Sequence, residues 1–148
     1  GVIEAQTVLL NFYLAIWQND LGVFQEDDAN WLAFCEALED DLNVAKALAI
    51  MHKLASEISQ GSKDKDLVAC LVKMGNVFGI LKQGADDFLQ NHPEVDLINE
   101  LVKKRQQARE SRDFAEADLI RDKLENIGIV VEDRVSGSRW YHGRAGLL

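Results

Sequence analysis

The chain has little of several things that mark particular protein classes. It holds one proline in 148 residues, so few positions force a break in a helix. It holds two cysteines, Cys35 and Cys70. Neither stands in a Cys-x-x-Cys or Cys/His pattern, so no zinc site is expected, and the reading is two reduced, buried thiols. No apolar run approaches the ~18 residues that span a bilayer, so no membrane partner is expected. The opening Gly1-Val2-Ile3-Glu4 lacks the basic and apolar regions of a secretory leader. With the reduced cysteines, this gives a cytoplasmic expectation. There is neither a glycine-rich phosphate loop nor a Gly-x-Ser-x-Gly elbow. His52, His92 and His142 are not spaced as metal ligands. The Glu39-Asp40-Asp41 cluster could serve acid–base work or hold a cation, but its place ahead of a helix N-terminus favours a capping role. These absences point to a binding module rather than an enzyme.

What is present describes a folded helical protein. The composition is 47% hydrophobic and 28% charged. A chain of this size hides roughly 68–70% of its unfolded surface and needs no staples. Charge is divided unevenly. Residues 1–92 carry 6 lysines and no arginine against 14 acids, whereas residues 93–148 carry 3 lysines and 7 arginines against 11 acids. Arginine offers a planar fork suited to phosphates and base edges, so an arginine-bearing tail on an acidic body suggests a local polyanion contact. The competing reading is helix salt-bridge patterning, such as Lys104 with Glu100 and Arg112 with Glu116.

Apolar periodicity predicts a first helix over 2–18 and a turn at Asn19–Gly22. Asp28 caps a second helix carrying Trp31, Leu32, Phe34 and Leu38 inward. Asn43 caps a third, to about Gln60. A fourth runs from Leu67 to Lys82, with Cys70, Met74, Phe78 and Leu81 facing inward. Four such stripes call for an antiparallel bundle. Residues 84–93 read as a linker with one short turn at Phe88-Leu89. Glu94–Ser111 is a polar helix, and Asp113-Phe114-Ala115-Glu116 resembles a capping box opening another. Gly128 suits a left-handed helix end. Ile129–Asp133 and Arg139–His142 read as a β-hairpin around a Val135–Ser138 turn. The fold class is therefore mainly α: a bundle over 1–83, a linker over 84–93, a small α+β module over 94–142 and a flexible tail over 143–148.

The run from Arg105 to Leu124, with Ala108-Arg109, Asp113-Phe114, Ala117-Asp118, Ile120-Arg121-Asp122 and Leu124 in order, resembles the cysteinyl-tRNA synthetase family. So do Gly128-Ile129-Val130-Val131-Glu132-Asp133 and Gly137-Ser138-Arg139-Trp140. Upstream, the run from Phe34 to Asn43 followed by Ala47-Leu48 is similar to that family's DALR-type helical domain, with Leu42 where the family has Phe. The resemblance implies the tRNA-recognition part of such an enzyme, acting on tRNA(Cys) with anticodon GCA. Nothing in the sequence matches the catalytic domain, so ATP and zinc are expected only there. This chain is expected to hold no cofactor or metal, to be inactive alone, and to partner that domain as a monomer.

Carried over position by position, the resemblance implies that Arg109, Asp118 and Asp133 read anticodon bases. Phe114 and Trp140 could stack on splayed bases, and Arg105, Arg112, Arg121 and Arg139 could contact phosphates. Structural alternatives stand beside each. Asp113 can be a helix cap and Trp140 hairpin core. Asp118 can pair with Arg121, and Arg109 with Asp113. Trp17, Phe24, Trp31 and Phe78 can be core, or be covered by the catalytic domain. The rival function is a helical protein-interaction module without RNA binding.

Overall fold

A computed structural model describes residues 2–17, 19–40 and 42–143, without the side chains of Val2, Ile3, Glu4 and Gln6. Asp41 of the acidic cluster and nearly all of the expected 143–148 tail lie outside the described residues. The chain forms two compact units that divide between Ala85 and Asp86.

The first unit is built from α1 (Val2–Trp17), α2 (Ala29–Glu39), α3 (Val44–Ser59) and α4 (Lys65–Val77). The caps stand where the sequence places them. Asp28 accepts from the Asn30 and Trp31 amides at 2.8 and 3.0 Å, and Asn43 accepts from the Lys46 amide at 3.1 Å. Each satisfies helix-end donors that burial would leave orphaned, worth about 1 kcal/mol apiece. The side-chain cap of α3 is Asn43, and Asp40 of the acidic cluster instead ends α2. Leu42 takes up a left-handed backbone with φ 50° and turns its side chain to solvent. The change from Phe to Leu there thus falls on the surface.

α3 packs against α1, α2 and α4. Ala47, Met51 and Leu54 of α3 meet a core shared with Phe12, Phe34, Leu71 and Met74, all fully buried. Leu32, expected inward, is exposed on α2, whose buried residues are Phe34 and Ala37. An aromatic row crosses the unit: Phe24 meets Trp31 edge-on at 5.0 Å, Trp31 stacks on Phe34 at 5.6 Å, and Phe34 meets Phe78 edge-on at 5.7 Å. Such pairs add about 0.5–1.5 kcal/mol each beyond burial.

α4 stops at Val77, short of the expected Lys82. Gly79, at φ 78°, closes a Schellman turn in which the Ile80 amide donates to the Gly75 carbonyl at 2.9 Å and the Gly79 amide to the Asn76 carbonyl at 3.0 Å. Leu81, itself at φ 59°, folds back over the helix and is buried. Its spacing from Phe78 mimics a helical stripe, but the contact is made by a reversed chain. A Cβ on Gly75 would lie 2.5 Å from Leu81 Cδ1 and 3.0 Å from its Cβ. Gly75→Ala is therefore expected to destabilise the first unit by about 1–3 kcal/mol through overpacking. Urea unfolding followed by circular dichroism would show this, and an unchanged midpoint would contradict the packing described.

The second unit holds α5 (Ala85–Leu89, beginning at the division), α6 (Val95–Glu110), α7 (Phe114–Asn126), β1 (Ile129–Arg134) and β2 (Gly137–His142). The expected linker thus contains a short helix, and its Phe88 and Leu89 are buried. α6 and α7 form a helix hairpin. Asp113 accepts from the Glu116 amide at 3.2 Å, and Gly128, at φ 79°, ends α7. β1 and β2 pair antiparallel from Ile129↔His142 to Arg134↔Gly137, which leaves Val135 and Ser136 as a two-residue loop tighter than the sequence suggests. Ile98 and Val102 of α6, Ile120 and Leu124 of α7, Ile129 and Trp140 close one core. That core fixes the register of the hairpin against the helices, because a one-residue slip would turn Ile129 and Trp140 outward.

Candidate nucleic-acid interface

Arg105 and Arg109 lie one turn apart on α6, so both forks leave the helix on one side. Asp133, near the end of β1, receives both. Arg105 is only 6% exposed and donates through Nη1 and Nη2 to Asp133 Oδ1 and Oδ2 at 2.8 and 2.9 Å. Arg109 Nη1 reaches Asp133 Oδ1 at 2.7 Å. The Ser138 hydroxyl lies 2.9 Å from Asp133 Oδ1 and 3.2 Å from Gln106 Oε1, and its single proton can go to either. The hydrogen bonds from Arg105, helped by Ser138 and by the charges of both arginines, hold the Asp133 carboxyl well below the usual carboxylate range against the opposing effect of burial. The same hydrogen bonds raise Arg105 against burial, and the charges of Asp133 and Asp118 add to this.

Two open grooves flank this clamp within the second unit. One, of about 300 Å³, is lined by Arg109, Phe114, Asp133 and Arg134 together with Gln106, Glu110 and Ser138. The other, of about 500 Å³, runs along Asn99, Lys103, Gln106, Gln107, Ser138 and Arg139. Gln106, Glu110 and Ser138 belong to both.

The structure sorts the residues singled out from the sequence. Arg109, Phe114 and Asp133 meet at one groove, and Phe114 is 59% exposed with its ring available for stacking. Asp118 is exposed one turn beyond Phe114 on α7, near enough to act on Arg105. Arg112 is exposed where α6 turns into α7, with φ 60°. Arg121 is exposed but stands apart, beside Glu125 at 3.6 Å.

Three expectations are corrected. Trp140 cannot offer a stacking face: it is 2% exposed, packed in the core, and its Nε1 donates to Asn99 Oδ1 at 2.7 Å. Arg105 does not present itself to phosphate, because its fork is buried against Asp133. Arg139 is largely buried; its Nε donates to Oε2 of its cross-strand neighbour Glu132 at 2.8 Å, and its Nη2 lies at ion-pair distance from the same oxygen. Of the expected ion pairs, Lys104–Glu100 is present at 3.5 Å. Asp113 serves as a cap, and Arg109 turns to Asp133 instead.

Gln106, Ser138 and Arg134 were not expected at the site. The hydroxyl in Gly137-Ser138-Arg139-Trp140, where the resembling pattern has Thr, is the signal that could have pointed to Ser138. Gln106 carries no comparable signal. Elsewhere, Cys70 Sγ lies 3.7 Å from Asp28 Oδ1, and burial beside that carboxylate pushes its thiol up to about 12, so it is not a thiolate nucleophile. His92 Nδ1 accepts from the Glu94 amide at 3.0 Å, and its ring faces His142 at 5.2 Å. Among the described residues, no group of three His, Cys, Asp or Glu side chains is placed to hold a metal, and no helix is long and apolar enough to cross a membrane.

A helical unit followed by a helix hairpin and β-hairpin that carry a charged, open groove has the character of a recognition region. Comparison with known proteins makes this specific. Residues 33–82 match the DALR domain, and residues 95–141 match the cysteinyl-tRNA ligase anticodon binding domain. The chain is 39% identical to a cysteine–tRNA ligase of Idiomarina loihiensis over 74% of this chain and 25% of the relative. It is 36% identical to that of Pasteurella multocida over 92% of this chain and 32% of the relative. With the Haemophilus influenzae enzyme the identity is 35%, over the same two shares. The chain belongs to the cysteine–tRNA ligase family and carries its anticodon-binding domains. It spans about a quarter to a third of the length of these relatives.

The clamp generates two predictions. Asp133→Ala strands the buried Arg105 charge and should cost about 2 kcal/mol, less than a fully buried pair because Asp133 is 41% exposed. Because the Asp133 carboxyl is held low, its contribution is present in full above the unfolded pKa near 4 and is lost as pH falls through the folded value. Acid titration should destabilise the wild-type chain more steeply than Asp133→Asn; equal slopes would contradict the clamp.

Proposed function

We propose that the second unit binds the anticodon loop of tRNA(Cys), and that the chain acts as the tRNA-recognition region of a cytoplasmic, monomeric cysteine–tRNA ligase. The observation that carries this reading is the groove where Arg109 is held at 2.7 Å from Asp133 beside the exposed ring of Phe114. Loop bases expose their Watson–Crick edges and stack on aromatic rings. Phe114 supplies a stacking face worth roughly 1–3 kcal/mol. Arg109 forms an ion pair with Asp133 through one nitrogen, so its remaining N–H groups can donate to cytosine O2 and N3. Asp118, exposed one turn along α7, can accept from guanine N1–H and N2–H. Asp133 acts chiefly by aiming Arg109, since its oxygens already receive Arg105, Arg109 and Ser138. Arg112 and Arg121 are the exposed phosphate contacts.

The activity belongs to the whole ligase: binding energy gathered at the anticodon positions the distant acceptor end for ATP-dependent cysteinylation. ATP and zinc would act in its catalytic domain.

Fluorescence anisotropy of the chain with a GCA stem-loop tests the reading. Binding should exceed that to a loop with a changed middle base and should weaken as salt rises. Arg109→Ala should lower GCA affinity about tenfold. Equal affinity for both loops, from a chain shown folded by circular dichroism, would refute base reading and favour the protein-interaction module.

A further inference from the structure

The two grooves of the second unit share a wall, yet their chemistry differs. The smaller has the exposed Phe114 ring beside charged side chains, which suits a base. The larger, of about 500 Å³, has no ring to offer. Trp140 is the only aromatic residue among those described along it, and it is 2% exposed with its indole N–H given to Asn99. A splayed base placed there finds no face to stack on. The groove has hydrogen-bonding groups instead.

Neighbours set the state of those groups. Asn99 and Lys103 stand one turn apart on α6, both exposed. The Trp140 indole nitrogen can only donate, so Asn99 Oδ1 receives it and the Asn99 amino group stays a donor. The Trp140 carbonyl can only accept, so Gln90 gives it Nε2 at 2.9 Å and keeps Oε1 as an acceptor. Among the described residues Lys103 makes no ion pair, whereas Lys104 takes Glu100 at 3.5 Å. Arg139, the other cation of the groove, is held by Glu132. One available positive charge, an oriented amide donor and an oriented amide acceptor therefore line a groove without a ring. A sugar–phosphate backbone matches this set: phosphate oxygens take ammonium and amide hydrogens, and a ribose 2′-hydroxyl gives its own to an amide oxygen. Glu110 repels phosphate at the wall shared with the smaller groove. The backbone is thus placed toward Lys103 and Asn99, a run of about 10 Å along α6 from Gln106 to Asn99.

We propose that the larger groove holds the sugar–phosphate backbone of the RNA strand that leaves the anticodon bases, with Lys103 on a phosphate and Asn99 Nδ2 on an adjacent backbone oxygen. This rests on the reading that the smaller groove takes loop bases. Because the grooves adjoin, one strand can run through both, read as bases at Arg109 and held by its backbone along α6.

The test compares the full wild-type chain, Lys103→Gln and Asn99→Asp, each shown folded by circular dichroism. Anisotropy is measured with the GCA stem-loop and with the loop carrying a changed middle base, across a range of salt. Lys103→Gln should weaken both loops by the same severalfold factor and leave the ratio between them unchanged. It should also flatten the slope of log K against log salt by about 0.7–0.9. Asn99→Asp keeps the oxygen that receives the indole but replaces the donor with a negative charge, so it should weaken both loops further. Neutral methylphosphonates in place of the phosphates flanking the anticodon should abolish the difference between wild type and Lys103→Gln. Unchanged affinity and salt slope in Lys103→Gln would overturn the proposal and leave the anticodon reading standing. Loss of the GCA preference in that variant would also overturn it, by showing that this groove reads bases. No binding of any loop by the wild-type chain would overturn both readings.

Discussion

Two arginine forks one helical turn apart converge on a single carboxylate, and the second unit is arranged around that meeting. Like charges at this spacing repel by a few tenths of a kcal/mol on an isolated helix. Asp133 reverses the sign: it neutralises Arg105 within the fold and holds Arg109 at the groove. The burial of Arg105 is tolerable only because its fork meets the carboxylate bidentately. The same bond ties β1 to α6, so the groove's geometry and the unit's stability share one contact.

The rest of the unit serves to keep that contact in register. Ile129 and Trp140 anchor the two strands in the core, and the Trp140 indole is tied to Asn99. Gln90 Nε2 donates to the Trp140 carbonyl at 2.9 Å, which fixes β2 from its other side. With the strand ends held, Asp133 and Ser138 face each other across the ladder, and both meet α6. The arrangement is preorganised, so ligand binding does not bear the cost of ordering the long Arg109 side chain from solvent.

Much of the fold was legible in single residues. Asp28, Asn43 and Asp113 announce helix starts because their short side chains reach the orphan amides, and Gly128 announces an end because it accepts a left-handed backbone. The end of α4 was hidden, since Phe78 and Leu81 keep a helical spacing while Gly79 reverses the chain between them. The chemistry of the candidate site was legible as residue types. Its pairing was not, because Arg105 and Asp133 are 28 positions apart and meet only through the packing of the hairpin on α6. Trp140 shows the same limit. A tryptophan at a strand end suits either stacking or core, and only the register decides. Gln106 gave no signal at all, because its place between the two grooves depends on the packing of the hairpin on α6.

The central claim is that Asp133 works through Arg109 and is not itself a principal base contact. A double-mutant cycle on loop affinity measures this, using Arg109→Ala, Asp133→Asn and the pair, all checked for folding. The account predicts strong non-additivity, the double variant binding the GCA loop about as weakly as Arg109→Ala alone. Additive losses would show that Asp133 contacts the RNA independently, and the clamp would then be a consequence of folding rather than the means by which the groove is set.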